Sequence, residues 1–505
     1  MADLDPIALQ VATGALRAAC EEMGAVLIRS AHSANIKERH DCSTALFDAH
    51  GEMVMQAEHI PVHLGAMPAA VEAVLGCDHE PGVSWVLNDP YRGGTHLPDI
   101  TVVTPILADG SGEPLGFSAS RAHHADVGGR VPGSMPFDSR TLDEEGVVIA
   151  PRVLDDAAVE ELVARMRQPA ERRADLRAQL AANRLGALRV GELAARMGAD
   201  GLRDAFSAVL DYAERRTRAC LAALPDGTRE AIDVLEGVDG DLQLRVAATV
   251  DGDRLVLDFR GSAAMDPGNL NCPLAVTRSA CLFAVRVLTD ADIPPSAGAH
   301  RPVEVLTDPG TLLDARAPAA VAAGNVETSS RVADLVLRAF GRACGQGTMN
   351  NLTLGNDDFS YYETLGGGQG ACPNADGPSA VHVAMSNTLN TPVEALELEF
   401  PLRVVQYAVR RESGGAGRFR GGDGVIREVE ALADMAFSLI TERRRHAPPG
   451  ADGGGDGARG RNRLDGAELD AKAGGTLHAG QRLRLDTPGG GGHGAATGPP
   501  PGRDG

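Results

Sequence analysis

The chain has 505 residues, 43% of them hydrophobic, and a formal net charge of -21 from 48 basic and 69 acidic residues. That length supplies a large core and implies more than one lobe. The acidity argues against nucleic acid or an anionic membrane surface as a partner, because phosphate contacts require Lys and Arg, and an aromatic content of 3% leaves no base-stacking platform.

The opening segment reads as a helix. Asp5-Pro6 suits a cap and first turn, and Ile7, Leu16, Cys20, Met23 and Leu27 recur at helical spacing. From about residue 35 to 150, short apolar runs alternate with Gly, Pro, Asn and Asp. Val83–Leu87, Ile100–Leu107, Phe117–Arg121 and Val147–Ile149 are expected strands. Asp155 to Leu224 is rich in Ala, Leu, Arg and Glu, and Pro169 and the Gly186 region are expected to divide it into about three helices. Arg229–Ser262 reads as strands, with Asp251-Gly252-Asp253 as a hairpin turn. Helices are expected over Thr277–Leu288 and Ser330–Cys344. Residues 345–440 are Gly/Asn/Thr-rich, and the tail after Ala447 is dense in Gly and Pro, either as ordered loops around a site or as flexible chain. The expected fold is mixed α/β (α+β) and multi-lobed, because helices and strands interleave without clean βαβ alternation. It divides into an N-terminal lobe (1–154), a helical segment (155–228), a mixed strand/helix lobe (229–446) and a Gly/Pro-rich C-terminal region (447–505).

The eight Cys are scattered with no Cys-x-x-Cys, which reads as reduced thiols. The N-terminus is acidic and lacks a signal peptide's basic start, and no run of about 20 apolar residues occurs. The expectation is a soluble cytoplasmic protein.

Nine of the 14 His fall at or before position 124. The stretch Asn88–Asp99, followed by Arg121–Gly129, packs His96, Asp99, His123, His124 and Asp126 among Gly and Pro. Nitrogen and carboxylate donors on tight backbone are what a divalent metal requires. Pro98 forbids regular helix, so His96 and Asp99 belong on a loop or strand end. His123 and His124 follow an expected strand and must point to opposite faces, so one of the two joins the site. The alternative is a buried polar network in which His and Asp satisfy each other. His59 and His63, separated by Pro61, are expected to line a cleft as hydrogen-bonding groups. In the second half, loops carrying Asn325, Glu327, Asn350 and Asn387 offer donors and acceptors suited to an amide or carboxylate ligand. There is no P-loop and no Gly-x-Ser-x-Gly elbow. Gly455–Gly460 matches Gly-x-Gly-x-x-Gly only formally, because no strand precedes it.

These stretches resemble the hydantoinase B/oxoprolinase family. The resemblance runs through Ser33–Arg39, Ala45–Asp48, His59–Gly65, Asn88–Asp99, Ala122–Gly129 and Pro132–Pro136, then Ala323–Thr328, Gly347–Asn351, Tyr362–Thr364, Asn387–Pro392, Arg418–Gly422 and Thr487–Gly492. It departs at Cys42, where an aromatic is expected, and over Pro448–Arg461. It implies a hydantoinase B-type fold with Gly-rich loops around a cleft, and ATP-coupled cleavage of a cyclic amide such as a hydantoin, 5-oxoproline or another lactam. It implies that ATP is bound by a separate A-type subunit in a hetero-oligomer. It further implies His96, Asp99 and His123 as ligands of a divalent metal (Zn or Mn), with Asp126, Asp41 or His124 as base or as a group orienting a ligand. A subunit of an ATP-dependent ketone carboxylase is the competing implication.

Overall fold

The computed structural model describes residues 5–58, 60–107 and 114–496. Its N-terminal part is built on a six-stranded antiparallel sheet of β1 (Cys42–Asp48), β2 (Met53–Glu58), β3 (Trp85–Leu87), β4 (Asp99–Leu107), β5 (Pro114–His123) and β6 (Arg152–Val153), in the order β2-β1-β5-β4-β3-β6. Helices cover both faces, so β4 and β5 are buried along nearly all their length. This matches their reading as near-continuous apolar and β-branched runs. One face packs against the helices Pro6–Ser30 and Pro169–Met197, and the other against Met67–Leu75.

The opening helix is capped by Asp5, and Leu16, Cys20, Met23 and Leu27 are buried as the periodicity predicts. Ile7 is not: it is 72% exposed in the first turn, beyond the reach of the sheet. The helical stretch comprises Asp156–Val163, Pro169–Met197 and Ala199–Ala222. Pro169 starts a helix as expected, but Gly186 does not end one. It lies mid-helix against Met23, where an added Cβ would come within 2.4 Å of the Met23 sulfur. The glycine serves close helix packing, and the break falls at Gly198 (φ +79°) instead. Val147–Ile149 is extended but is not a strand. Its backbone bonds run to Val127 and to Asn88, which belong to loops rather than to a neighbouring strand.

A second sheet joins β7 (Gly227–Glu236), β8 (Asp241–Asp251), β9 (Arg254–Asp258) and β10 (Val303–Leu306). Gly252 (φ +58°) turns the expected β8–β9 hairpin, and β10 adds parallel to β9. The helices Leu274–Leu288 and Ser329–Ala339 pack on this sheet and form the largest apolar core with it. The remaining strands are β11 (Asn351–Gly355), β12 (Ser360–Glu363), β13 (Leu402–Arg410), β14 (Gly424–Ala431), β15 (Met435–Ile440), β16 (Arg461–Leu464), β17 (Ala467–Leu469), β18 (Lys472–Leu477) and β19 (Arg482–Asp486). They form sheets ordered β12-β11-β15-β18 and β13-β14-β19-β16-β17, with a shared core between them.

The glycine-rich tail is ordered through residue 496. Its loops interleave with those near residues 368 and 422: Gly368 N–H donates to Pro488, Gly490 N–H to Gly422, and Gly422 N–H to Gln369. A Cβ on Gly368 would stand 2.0 Å from the Gly422 carbonyl oxygen, so backbone meets backbone with no room for a side chain.

Candidate metal centre and its cavity

The turn before β4 sets the geometry. Asn88 fastens it from within, donating to the Leu97 (2.7 Å) and Val147 (3.0 Å) carbonyls and accepting from Ile149 N–H (2.6 Å). At Gly94 a Cβ would lie 2.2 Å from the Asn88 carbonyl oxygen, so the turn closes only around glycine. The Asp99 N–H donates to the His96 carbonyl, which brings the two side chains to one side. Asp99 opens β4 and His123 ends β5, and the two are direct cross-strand partners, so their side chains share a face.

The result is a buried triad. His96 Nε2 is 3.1 Å from Asp99 Oδ1, His123 Nδ1 is 3.2 Å from the same oxygen, and the two nitrogens are 3.2 Å apart. Three lone-pair atoms this close repel unless a proton or cation lies among them. A divalent ion about 2.1 Å from each atom would set them about 3.4 Å apart in tetrahedral and about 3.0 Å apart in octahedral coordination. The observed spacing falls between, so the residues fit such an ion without choosing Zn or Mn.

Electrostatics agree with that fit. Burial raises Asp99, but neighbouring His96 and hydrogen bonds from His123, His63 and His96 outweigh it and hold the carboxyl well below its usual range. Thr95 Oγ1 donates to the second Asp99 oxygen at 2.6 Å. Burial lowers His123 and His63 despite their carboxylate neighbours, which favours the neutral imidazole a metal requires.

Around the triad lies a cavity of about 20 Å³, room for one water-sized body, lined also by Asp41, His63, Asn325, Tyr362, Met385 and Asn387. Burial raises the Asp41 carboxyl, with His123 and Arg39 partly offsetting it, and that carboxylate accepts no hydrogen bond among the described residues. His63 donates to or accepts from Ser43 Oγ at 2.9 Å and lies 3.6 Å from Asp99. His59 falls outside the described residues. Asn325, on a π-helical turn (Gly324–Thr328), has a buried side-chain oxygen with no partner among the described residues. A second cavity, about 410 Å³, shares Ser386 and Asn387 with the first.

Other expected residues lie elsewhere. Asp126 accepts from Gly128 N–H (2.7 Å) and Gly133 N–H (2.8 Å) and pairs with Arg167 (3.1 Å); it anchors a turn and does not line the cavity. His124 points to the opposite face from His123, where its Nε2 meets Gln179 Oε1 at 3.0 Å. Neither is placed to act on a body held by the triad. Asn350 bonds to Gln346 (2.8 Å), away from the lining. Glu327 stands one layer back, accepting from Asn351 Nδ2 (3.1 Å), while Asn351 Oδ1 accepts from the Tyr362 hydroxyl (2.6 Å).

Tyr362 is the main residue that spacing arguments miss. It stacks on His123 with centroids 4.6 Å apart and planes 15° apart. Arg39 lies over the Tyr362 ring, 4.8 Å from its centroid, and donates to the Tyr362 carbonyl. The only signal was membership of stretches carrying the family resemblance. Nothing local marks a ring 239 positions from its partner.

Comparison with known proteins agrees with this architecture. The family model described as hydantoinase B/oxoprolinase matches residues 5–496. The Arabidopsis thaliana protein named 5-oxoprolinase 1 is 39% identical over 97% of this chain and 42% of its own length, and the Dictyostelium discoideum 5-oxoprolinase is 37% identical over 97% and 40%. The chain thus spans about two fifths of these relatives. The crystal structure of the ATP-dependent caprolactamase from Pseudomonas jessenii superposes with a TM-score of 0.90 at 28% identity, covering 98% of this chain and 91% of that one. With turn, ligand triad and whole-chain match in agreement, the chain belongs to the hydantoinase B/oxoprolinase family.

Proposed function

We propose that the chain is the B-type subunit of an ATP-dependent cyclic amidase. It hydrolyses the ring amide of a hydantoin, 5-oxoproline or similar lactam after an A-type subunit has activated it with ATP. The carrying observation is the buried His96/Asp99/His123 triad beside Asp41 in one small cavity. The 5-oxoprolinase relatives and the caprolactamase neighbour support a lactam as substrate. More than half the length of those 5-oxoprolinases has no counterpart here, which supports assigning ATP to a partner.

A five-membered lactam resists opening because its amide is resonance-stabilised and the ring re-forms readily. Phosphorylation of the amide oxygen by the partner would supply a leaving group. A divalent ion held by His96, Asp99 and His123 would lower the pKa of water and polarise the ring carbon's oxygen. Asp41, raised by burial and facing the cavity, would accept a proton from the attacking water. Thr95 fixes the Asp99 carboxylate, and Tyr362 fixes the His123 ring. Asn325 and Asn387 would orient the ring amide. Water adds to the ring carbon, phosphate departs and the C–N bond opens.

The test is metal content of the wild type beside a His96→Ala/Asp99→Ala variant. ATP-dependent opening of hydantoin, 5-oxoproline and caprolactam with an A-type partner is then assayed. Stoichiometric Zn or Mn and lactam opening in the wild type, both lost in the variant, uphold the reading. ATP turnover that needs bicarbonate and a ketone, with no lactam opened, would replace it with a carboxylase.

A further inference from the structure

The largest cavity of the described residues lies away from the triad and shares no lining residue with it. It encloses about 690 Å³ between the β7–β8 turn, the 444–445 segment, the 458–462 segment and the β17–β18 turn. In a chain of charge -21, its walls carry Arg410, Arg444, Arg459 and Arg461, and none of these four has a carboxylate partner. Arg410 donates to the Arg459 (2.8 Å) and Thr487 (2.9 Å) carbonyls, and Arg444 to Asn462 Oδ1 (2.7 Å) and the Glu442 carbonyl (2.7 Å). Arg459 reaches the Arg445 carbonyl at 3.2 Å, and the Arg461 side chain has no hydrogen bond or ion pair among the described residues.

Arginines just outside behave differently. Arg463 and Arg484 both pair with Asp486 at 2.9 Å, and Arg331 pairs with Glu442 at 3.2 Å. Within the cleft, Arg445 is matched by Asp241 and Lys472 by Glu442. The buried Glu236 is turned inward, accepting the N–H groups of Arg444, Arg445 and His446. Glu468 and Asp470 stand exposed at the rim, Glu468 beside Arg463. Burial lowers both Arg410 and Arg444, the latter to about 10, as expected of guanidinium groups removed from water without a counter-charge. At Gly460 a Cβ would come within 2.4 Å of Arg444 Nη1, so the glycine keeps this guanidinium clear.

We propose that this cleft binds a multiply charged oligophosphate, of the di- or triphosphate class, at a site separate from the metal centre. Guanidinium forks match phosphate oxygens bidentately, and a compact polyanion can meet four of them at once. The groups converge on one enclosed volume of small-ligand size rather than following an extended groove, which favours a small anion over an acidic peptide.

The experiment is calorimetric titration of the full chain with tripolyphosphate, against sulfate at matched ionic strength. Saturable binding is expected, weakening as salt rises. It should be at least tenfold weaker in an Arg459→Gln/Arg461→Gln variant, whose two sites are exposed and carry no fold contacts of consequence. Pyrophosphate beside ADP separates the sources: equal affinity assigns a free oligophosphate, tighter ADP a nucleotide, and both uphold the site. Absence of saturable binding at millimolar tripolyphosphate overturns the proposal. So does unchanged affinity in the variant, or binding of polyglutamate alone.

Discussion

The cavity around the triad has two walls of different construction. One is a strand-end wall: His96, Asp99 and His123 come from a tight turn and two paired strands within 28 consecutive positions. The other is a loop wall, in which Asn325, Tyr362, Met385 and Asn387 arrive from a π-helical turn, a short strand and a loop. The first is held by backbone register and cannot move one ligand without moving the strand pair. The second is held by side-chain contacts, through the Arg39–Tyr362–His123 stack and the Tyr362–Asn351–Glu327 hydrogen bonds. A rigid wall suits ion binding, and a wall of loops suits discrimination among substrates.

The predictions follow from that division. His96→Ala/Asp99→Ala should abolish stoichiometric metal and lower lactam turnover by about 10³-fold or more while leaving far-UV circular dichroism unchanged. Metal retained in that variant would break the division outright. Asp41→Asn should keep the metal and lower turnover by about 10²- to 10⁴-fold, the range for loss of a general base. Turnover within twofold of wild type would remove Asp41 from the chemistry.

Glu327 gives a pH test of the layer behind the loop wall. Burial, reinforced by Glu442, pushes its carboxyl up to about 8. A carboxyl raised on folding contributes stability in full below its unfolded value of 4.5 and loses it as pH rises towards 8. Wild-type Tm should therefore fall relative to Glu327→Gln as pH increases from 5 to 8, by up to about 1.4 kcal/mol per pH unit. Parallel Tm curves would show that Glu327 keeps an ordinary carboxyl.

Tyr362→Phe removes the hydroxyl bond to Asn351 but keeps the stack on His123. The expected cost is about 1–3 kcal/mol by urea unfolding, with metal content unchanged. Asn387→Ala should have the smallest effect, a several-fold rise in KM for the lactam with kcat nearly preserved. A large kcat loss there would make the loop wall part of the reacting machinery and erase the contrast.

What sequence settled by itself was local. Pro98 and Gly94 dictate a turn that no helix can replace, strand alternation separates His123 from His124, and the apolar runs of β4 and β5 require burial on both faces. Those constraints act between neighbours along the chain, so they are readable from spacing. The whole-chain resemblance located the family but not the side chains facing the triad. Tertiary structure alone decided that Asp126 is consumed by Gly128, Gly133 and Arg167, that Gly186 packs on Met23 instead of breaking a helix, and that Tyr362 reaches His123. In each case the outcome depends on which distant surface arrives opposite the residue, and no period or propensity along the chain encodes that arrival.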